Sequence, residues 1–199
     1  MSHYPVVADV AETLRDVLWT EMQSDAMITT ILQDSAHISF EPPFRLFKED
    51  APPENYLSIY LFRILENPDL RNAPQFANPS PDFQYPPLVL NFHYLITPLT
   101  NSAANDQLLL GRTMQLLYDH AIMRGSELHG MLRTNAEELR LALTPTSLED
   151  ATKLWCAFLR PFRLSVAYEV RAVIVDSERL TRMEPVRYKR LEFEQVGAP

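Results

Sequence analysis

The sequence predicts an α+β fold, with a mixed, mostly antiparallel sheet and about three helices packed mainly on one of its faces. Three observations predict it. Segments with apolar residues at helical spacing are interleaved with segments that alternate at period two. Several alternating segments are polar at every second residue, as in strands with one buried face, and are not continuously apolar like the strands of an all-parallel sheet. The chain has 199 residues, 46% hydrophobic and 22% charged, which suffices for one core without metals or disulfides.

The first helix is expected over residues 6–22. Val6, Val7, Val10, Leu14, Val17, Leu18 and Met22 fall within one half of a helical wheel, and Pro5 suits a helix start. Trp19 falls outside this stripe, among Glu12, Arg15 and Gln23. A large aromatic there reads either as an anchor for a partner or as a residue covered by a loop of its own chain.

A helical or turn segment follows at 26–32, then short strands at 37–40 and 44–47 and a longer one at 57–65. In 88–97, Leu88, Leu90, Phe92, Tyr94 and Ile96 share one face, with Asn91, His93 and Thr97 on the other. A second helix is expected over 106–123, carried by Leu110, Met114, Leu117 and Ala121 and stopped by Gly125. Residues 138–143 read as a short strand. Thr146 and Glu149 have capping-box spacing for a third helix running to Leu159, which Pro161 ends. The strongest strand is 164–176, with Leu164, Val166, Tyr168, Val170, Ala172 and Ile174 on one face and Ser165, Glu169 and Arg171 on the other.

Prolines 68, 74, 79, 81, 86 and 87 punctuate residues 66–87. Proline neither donates to a ladder nor continues a helix, so this reads as a long extended loop of the kind that contacts something. Net charge is −8. Residues 178–199 carry five basic and four acidic residues, leaving about +1 on the tail and −9 on the body. An acidic body disfavours nucleic acid. No stretch reaches the roughly 18 apolar residues of a membrane span, and residues 1–9 show no leader, so cytosolic synthesis without export is expected.

Catalytic and cofactor chemistry finds no foothold. Four glycines build no phosphate loop, and five histidines show no metal-ligand spacing. His120 beside Asp119 reads as a helix-end cation. His93 is the best candidate base, since a strand could set it opposite Glu169, yet no nucleophile elbow accompanies it. Cys156, in the string LWCAF, reads as a small buried hydrophobe. The expectation is a protein that is not an enzyme and has no catalytic residues, no metal and no cofactors.

Three stretches, YLFRILENPDLRN at 60–72, PPLVLNFHYLITP at 86–98 and RPFRLSVAYEVRAVIVDS at 160–177, with LLLGRTMQLLYDH between the last two, resemble the Pvc16 N-terminal domain family. The resemblance spans roughly residues 6–177. It implies a tail-terminator-like fold and a structural cap that closes the distal end of the tube and sheath of an extracellular contractile injection system. It also implies a homohexameric ring, with sheath and inner-tube proteins of the same phage-tail-like particle as partners, no nucleic acid or membrane, and assembly in the cytoplasm before any release.

The chain therefore divides into a cap domain at 1–177 and a C-terminal arm at 178–199. Contacts are expected at Trp19, at Asn67, Arg71, Asn72, Phe76 and Phe83 of the proline-rich loop, and at Arg187, Tyr188, Lys189, Arg190, Leu191 and Phe193 of the arm. The arm alternates over 186–193 and suits addition to an open sheet edge, its basic residues facing an acidic neighbour; an ordinary intrachain edge strand is the other reading. A small-molecule or peptide-binding adaptor, with a pocket against the sheet near His93, is the alternative function.

Overall fold

The computed structural model describes residues 4–46, 54–70, 82–134, 138–178 and 180–182. Its strands are β1 (Ile38–Ser39), β2 (Tyr56–Glu66), β3 (Asp82–Gln84), β4 (Leu88–Leu99), β5 (Ile122–Arg124), β6 (Glu138–Thr144), β7 (Val166–Val175) and β8 (Leu180–Arg182). Six of them form one sheet in the order β1-β2-β4-β7-β6-β5. The β1–β2 pair is parallel and every other pair antiparallel, so the sheet is mixed and mostly antiparallel, as expected. β3 and β8 pair separately as a two-stranded antiparallel ribbon.

The helices are α1 (Val6–Met22), α2 (Ala26–Thr29), α3 (Pro43–Leu46), α4 (Ala103–Asp119), α5 (Gly130–Thr134) and α6 (Leu148–Ala157). Helix α1 turns Val6, Val10, Leu14, Val17, Leu18 and Met22 inward, each worth roughly 1.5–3 kcal/mol of burial before entropy. They meet Leu109, Leu110, Leu116 and Leu117 of α4 and the sheet face formed by Leu57, Ile59, Phe92, Tyr94, Ile96, Leu139, Leu141, Tyr168 and Val170. This is the main core. The Asp25 carboxylate accepts from Met27 N at 3.0 Å and Ile28 N at 3.4 Å, capping α2 where α1 ends.

The expected faces of β4 hold, but β7 departs from simple alternation. Leu90 pairs with Val173 and Phe92 with Val170, so β7 carries one extra residue and bulges there. The bulge exchanges its faces: beyond it Val173, fully buried, points into the core, while Ile174, expected there, pairs with Val89; the expected Ala172 side chain lies outside the described ones. β2 has a matching irregularity between Leu61 and Arg63, where Phe62 is the extra residue.

Other boundaries differ for local reasons. Residues 43–46 form helix α3 where a strand was expected, since Pro43 suits a helical first turn. The 106–123 helix starts earlier and stops at Asp119, because Ile122–Arg124 pairs with β6 and buries Met123 in the core; Gly125, at φ 58°, belongs to the turn after that strand. The loop at 66–87 contains strand β3. Strand β7 begins at Val166, leaving Leu164 outside it and half-exposed.

Helix α6 covers the opposite sheet face. Its cap is Ser147, whose hydroxyl accepts from Asp150 N at 3.1 Å and donates to Asp150 Oδ2 at 2.7 Å, one residue along from the expected Thr146–Glu149 box. It ends at Ala157, and Leu159 follows at φ 54° and 90% exposed. Trp155 is the buried residue of α6, at 1% exposure. It donates to Ser165 Oγ at 3.3 Å and meets Phe158 and Phe162 edge-on. Cys156, one position on, is turned by about 100° and is exposed, so its expected burial is overturned.

Candidate assembly surfaces

Trp19 is half-buried and packs against the margin of the main core. Asn67 is 8% exposed. Its Oδ1 accepts from Asp69 N at 3.0 Å and Leu70 N at 3.2 Å, and its Nδ2 donates to Asn91 Oδ1 at 3.0 Å. Its backbone N–H donates to Val89 O at 2.8 Å. Asn67 thus fastens the root of the proline-rich loop to β4. Phe83 sits in β3 opposite Thr181 of β8. Arg71, Asn72, Phe76, Arg187, Tyr188, Lys189, Arg190, Leu191 and Phe193 lie outside the described residues.

The ribbon carries a consequence for the proline-rich loop and the arm. Gln84 pairs with Leu180 and Asp82 with Arg182, so the end of the loop and the start of the arm run side by side. They connect to the main sheet at β4 and β7, whose Leu88 and Val175 pair with each other. Near this end of the sheet Ile64, Leu65, Leu70, Tyr85 and Leu88 are exposed.

On the α6 side of the sheet a polar network continues from Asn67. Asn91 Nδ2 donates to Glu169 Oε1 at 3.0 Å and Arg171 Nε to Glu169 Oε2 at 2.6 Å. His93 is the direct cross-strand partner of Glu169, as the sequence suggested, with its Nε2 3.9 Å from Oε1. That separation exceeds a hydrogen bond. With both Glu169 oxygens held by other donors, the pair lacks the geometry of a base and its orienting carboxylate. No group of three or more His, Cys, Asp or Glu is placed to hold a metal among the described residues.

Beside this network lies a cleft of ≈ 530 Å³ between α6 and the sheet, bounded by Phe62, Leu95, Leu154, Phe162 and Ala167 among others. Its walls are mainly apolar, with Leu148 72% exposed at its mouth. Two histidines, His120 bonded to Glu127 at 2.6 Å and His129 to Asp16 at 3.1 Å, line a smaller cleft of ≈ 350 Å³ beside α1. The second bond joins elements far apart in sequence and ties the segment before α5 to α1. No helix among the described residues is long and apolar enough to cross a membrane.

Two solved structures share this fold. The sheath/tube terminator of an extracellular contractile injection system, PVC, in its extended state, aligns with a TM-score of 0.57 at 20% identity, over 89% of this chain and 63% of its own. The tube-terminating cap of the anti-feeding prophage aligns at 0.53 and 18% identity, over 85% and 60%. The chain belongs to the Pvc16 N-terminal domain family, which matches residues 9–188. This match runs beyond residue 177 into the expected arm. The chain spans about three-fifths of the length of either terminator. No curated protein matches it.

Proposed function

We propose that this protein is a non-catalytic cap that ends the tube and sheath of a contractile, phage-tail-like particle as a homohexameric ring. The observation that carries the reading is family membership over residues 9–188 together with a shared fold over most of the chain. The rigid sheet, buttressed by helices on both faces, suits a part that holds its shape under load. The distal end of the sheet and the ribbon supply the contact surface, with residues 178–199 as the arm and Trp19 as a second contact. Assembly takes place in the cytoplasm, and the cap leaves with any released particle.

The test is deletion of the gene from a particle-producing cluster. Under this reading sheaths and tubes lose their uniform length or fail to persist, and the purified protein forms rings of six in mass measurements. Particles of normal length without it, or a protein that stays monomeric at high concentration, would refute it. The cleft beneath α6 favours a second reading, an adaptor that binds an apolar peptide segment; a Phe162→Asp variant that still caps particles normally removes the cleft from the capping function.

A further inference from the structure

Resting on the reading of a ring-forming cap, we infer that the open part of the sheet face opposite the main core, which carries Arg63, Arg124, Arg140 and Arg171, seats against the acidic cleft beside α1 of a second copy. Core-facing neighbours fix the side on which these residues lie. Met123, Leu139, Leu141 and Val170 are buried in the core, so by strand alternation Arg124, Arg140 and Arg171 point away from it. Arg63 pairs with His93 and lies on that side too, since Phe92 and Tyr94 face the core. All four arginines are exposed. In a chain of net charge −8 they gather on one face and outnumber Glu138 and Glu169, the acids bonded among them.

This face is set up for a carboxylate from outside. Arg140 and Arg171 stand directly across from each other on β6 and β7, a like-charge pair that destabilises the sheet until an anion comes between them. Each donates through Nε at 2.6 Å, Arg140 to Glu138 and Arg171 to Glu169, and neither guanidinium has a further hydrogen bond among the described residues. Arg63 has no ion-pair partner among them. A guanidinium offers five donors in a planar fork that matches a carboxylate. Leu65 and Ile122, exposed on the same face opposite Asn91 and Arg140, add the apolar contact that accompanies arginine at interfaces.

The counterpart lies on the same molecule. The cleft beside α1 is bounded by Asp16, Glu21 and Glu127, which outnumber Arg133. Glu21 is exposed and has no ion-pair partner among the described residues. Helix α1 packs on the core side of the sheet, so cleft and arginine face are on opposite sides and cannot meet within one chain. Two arginine faces repel each other, as do two clefts, which leaves the contact of face on cleft. Such a head-to-tail contact, repeated, builds a ring when its rotation closes. The net negative charge opposes association through other faces and disfavours a nucleic-acid strand as the occupant.

The test uses two full-length variants at about pH 8, where an ordinary imidazole is uncharged. One carries Arg140→Glu and Arg171→Glu, the other Asp16→Lys and Glu21→Lys. Self-association, followed by sedimentation, should weaken by about tenfold or more in each variant alone. It should recover when the two are mixed in equal amounts, because the reversed face of one then meets the reversed cleft of the other and their intact surfaces also pair. Should either variant fail to melt cooperatively, Arg140→Gln with Arg171→Gln and Asp16→Asn with Glu21→Gln replace them; each should weaken association, and their mixture should give dimers containing one of each. Unchanged association in the arginine variant, an equal loss in an Arg45→Glu control, or no recovery on mixing would overturn the inference. Binding of single-stranded DNA that disappears in the arginine variant would assign the face to a polyanion and overturn it as well. Particle capping is scored separately. Normal capping by the arginine variant sinks this inference alone, while recovery on mixing alongside normal particle length in the gene deletion sinks the cap reading alone.

Discussion

Glu169 and His93 stand directly across from each other on β7 and β4, yet the pair is lopsided. The Glu169 carboxylate accepts from Asn91 and Arg171, while His93 Nε2 is buried with no hydrogen-bond partner. Removing the acceptor should therefore matter more than removing the imidazole. Glu169→Ala is expected to cost about 1–3 kcal/mol in denaturant unfolding and His93→Gln under about 1 kcal/mol. The reverse order would show that the histidine is the keystone.

Gly130 faces a tighter constraint. At φ 53° a Cβ there would lie 2.4 Å from Asp9 Oδ1, the carboxylate that accepts from Met131 N at 2.8 Å through its other oxygen. Gly130→Ala combines strain in the left-handed region with displacement of that cap, and should destabilise by about 2 kcal/mol or more. A thermal melt of the variant measures this, with Gly111→Ala as a control, since nothing lies within 4 Å of a Cβ at Gly111.

Tyr94 is fully buried and its hydroxyl has no hydrogen-bond partner. Tyr94→Phe should leave stability unchanged or raise it by about 1 kcal/mol. Burial also pushes the Tyr94 phenol well above its ordinary value. A raised folded-state value stabilises fully below the unfolded value, near 10. That contribution is lost as pH climbs from there toward the folded value. Unfolding titrations from pH 9 to 11 should show falling stability, with a shallower fall in Tyr94→Phe. Burial raises Tyr168 as well, so some slope should remain.

Cys156 offers a direct check on the orientation of α6. The thiol is exposed and should react with a thiol reagent in the native protein to the same extent as after denaturation. Protection until unfolding would mean that α6 is rotated about its axis.

Removing the Trp155 side chain empties the contact between α6 and the sheet. Trp155→Ala is expected to cost about 3–5 kcal/mol, read by denaturant unfolding, and to loosen α6 before the main core, read by hydrogen exchange. Uniform exchange across the sheet would contradict that local effect.

Legibility in the sequence followed the strength of periodicity. The α1 stripe from Val6 to Met22 and the face Leu90–Phe92–Tyr94–Ile96 were readable because burial is one-sided over several turns or residues. The β7 exchange was not, since an inserted bulge residue leaves Ala172 and Ile174 in unbroken alternation with Val170. Three-residue Ile122–Arg124 looked like the end of α4 because only its partner strand, distant in sequence, makes it a strand. Cys156 was misplaced because the short, apolar α6 gives several plausible inward faces until Trp155 selects one. For the assembly surface, the sequence pointed to the proline-rich loop and the arm. Their pairing through β3 and β8 depends on contacts nearly a hundred residues apart.

The two irregularities beside β4, at Phe62 on one neighbour and between Val170 and Val173 on the other, lie at nearly the same level along that strand. Bulges bend and twist the strands that carry them, so together they act as a crease across the sheet. On one side lies the half of the sheet at Ile59, Tyr94 and Tyr168; on the other, the strand ends at Glu66, Leu88 and Val175, from which β4 and β7 connect to the ribbon. The aim of those strand ends is therefore written in two single-residue insertions. Deleting either would swing them through space while leaving the other half intact, so small changes in strand length can re-aim such a part toward a different seat.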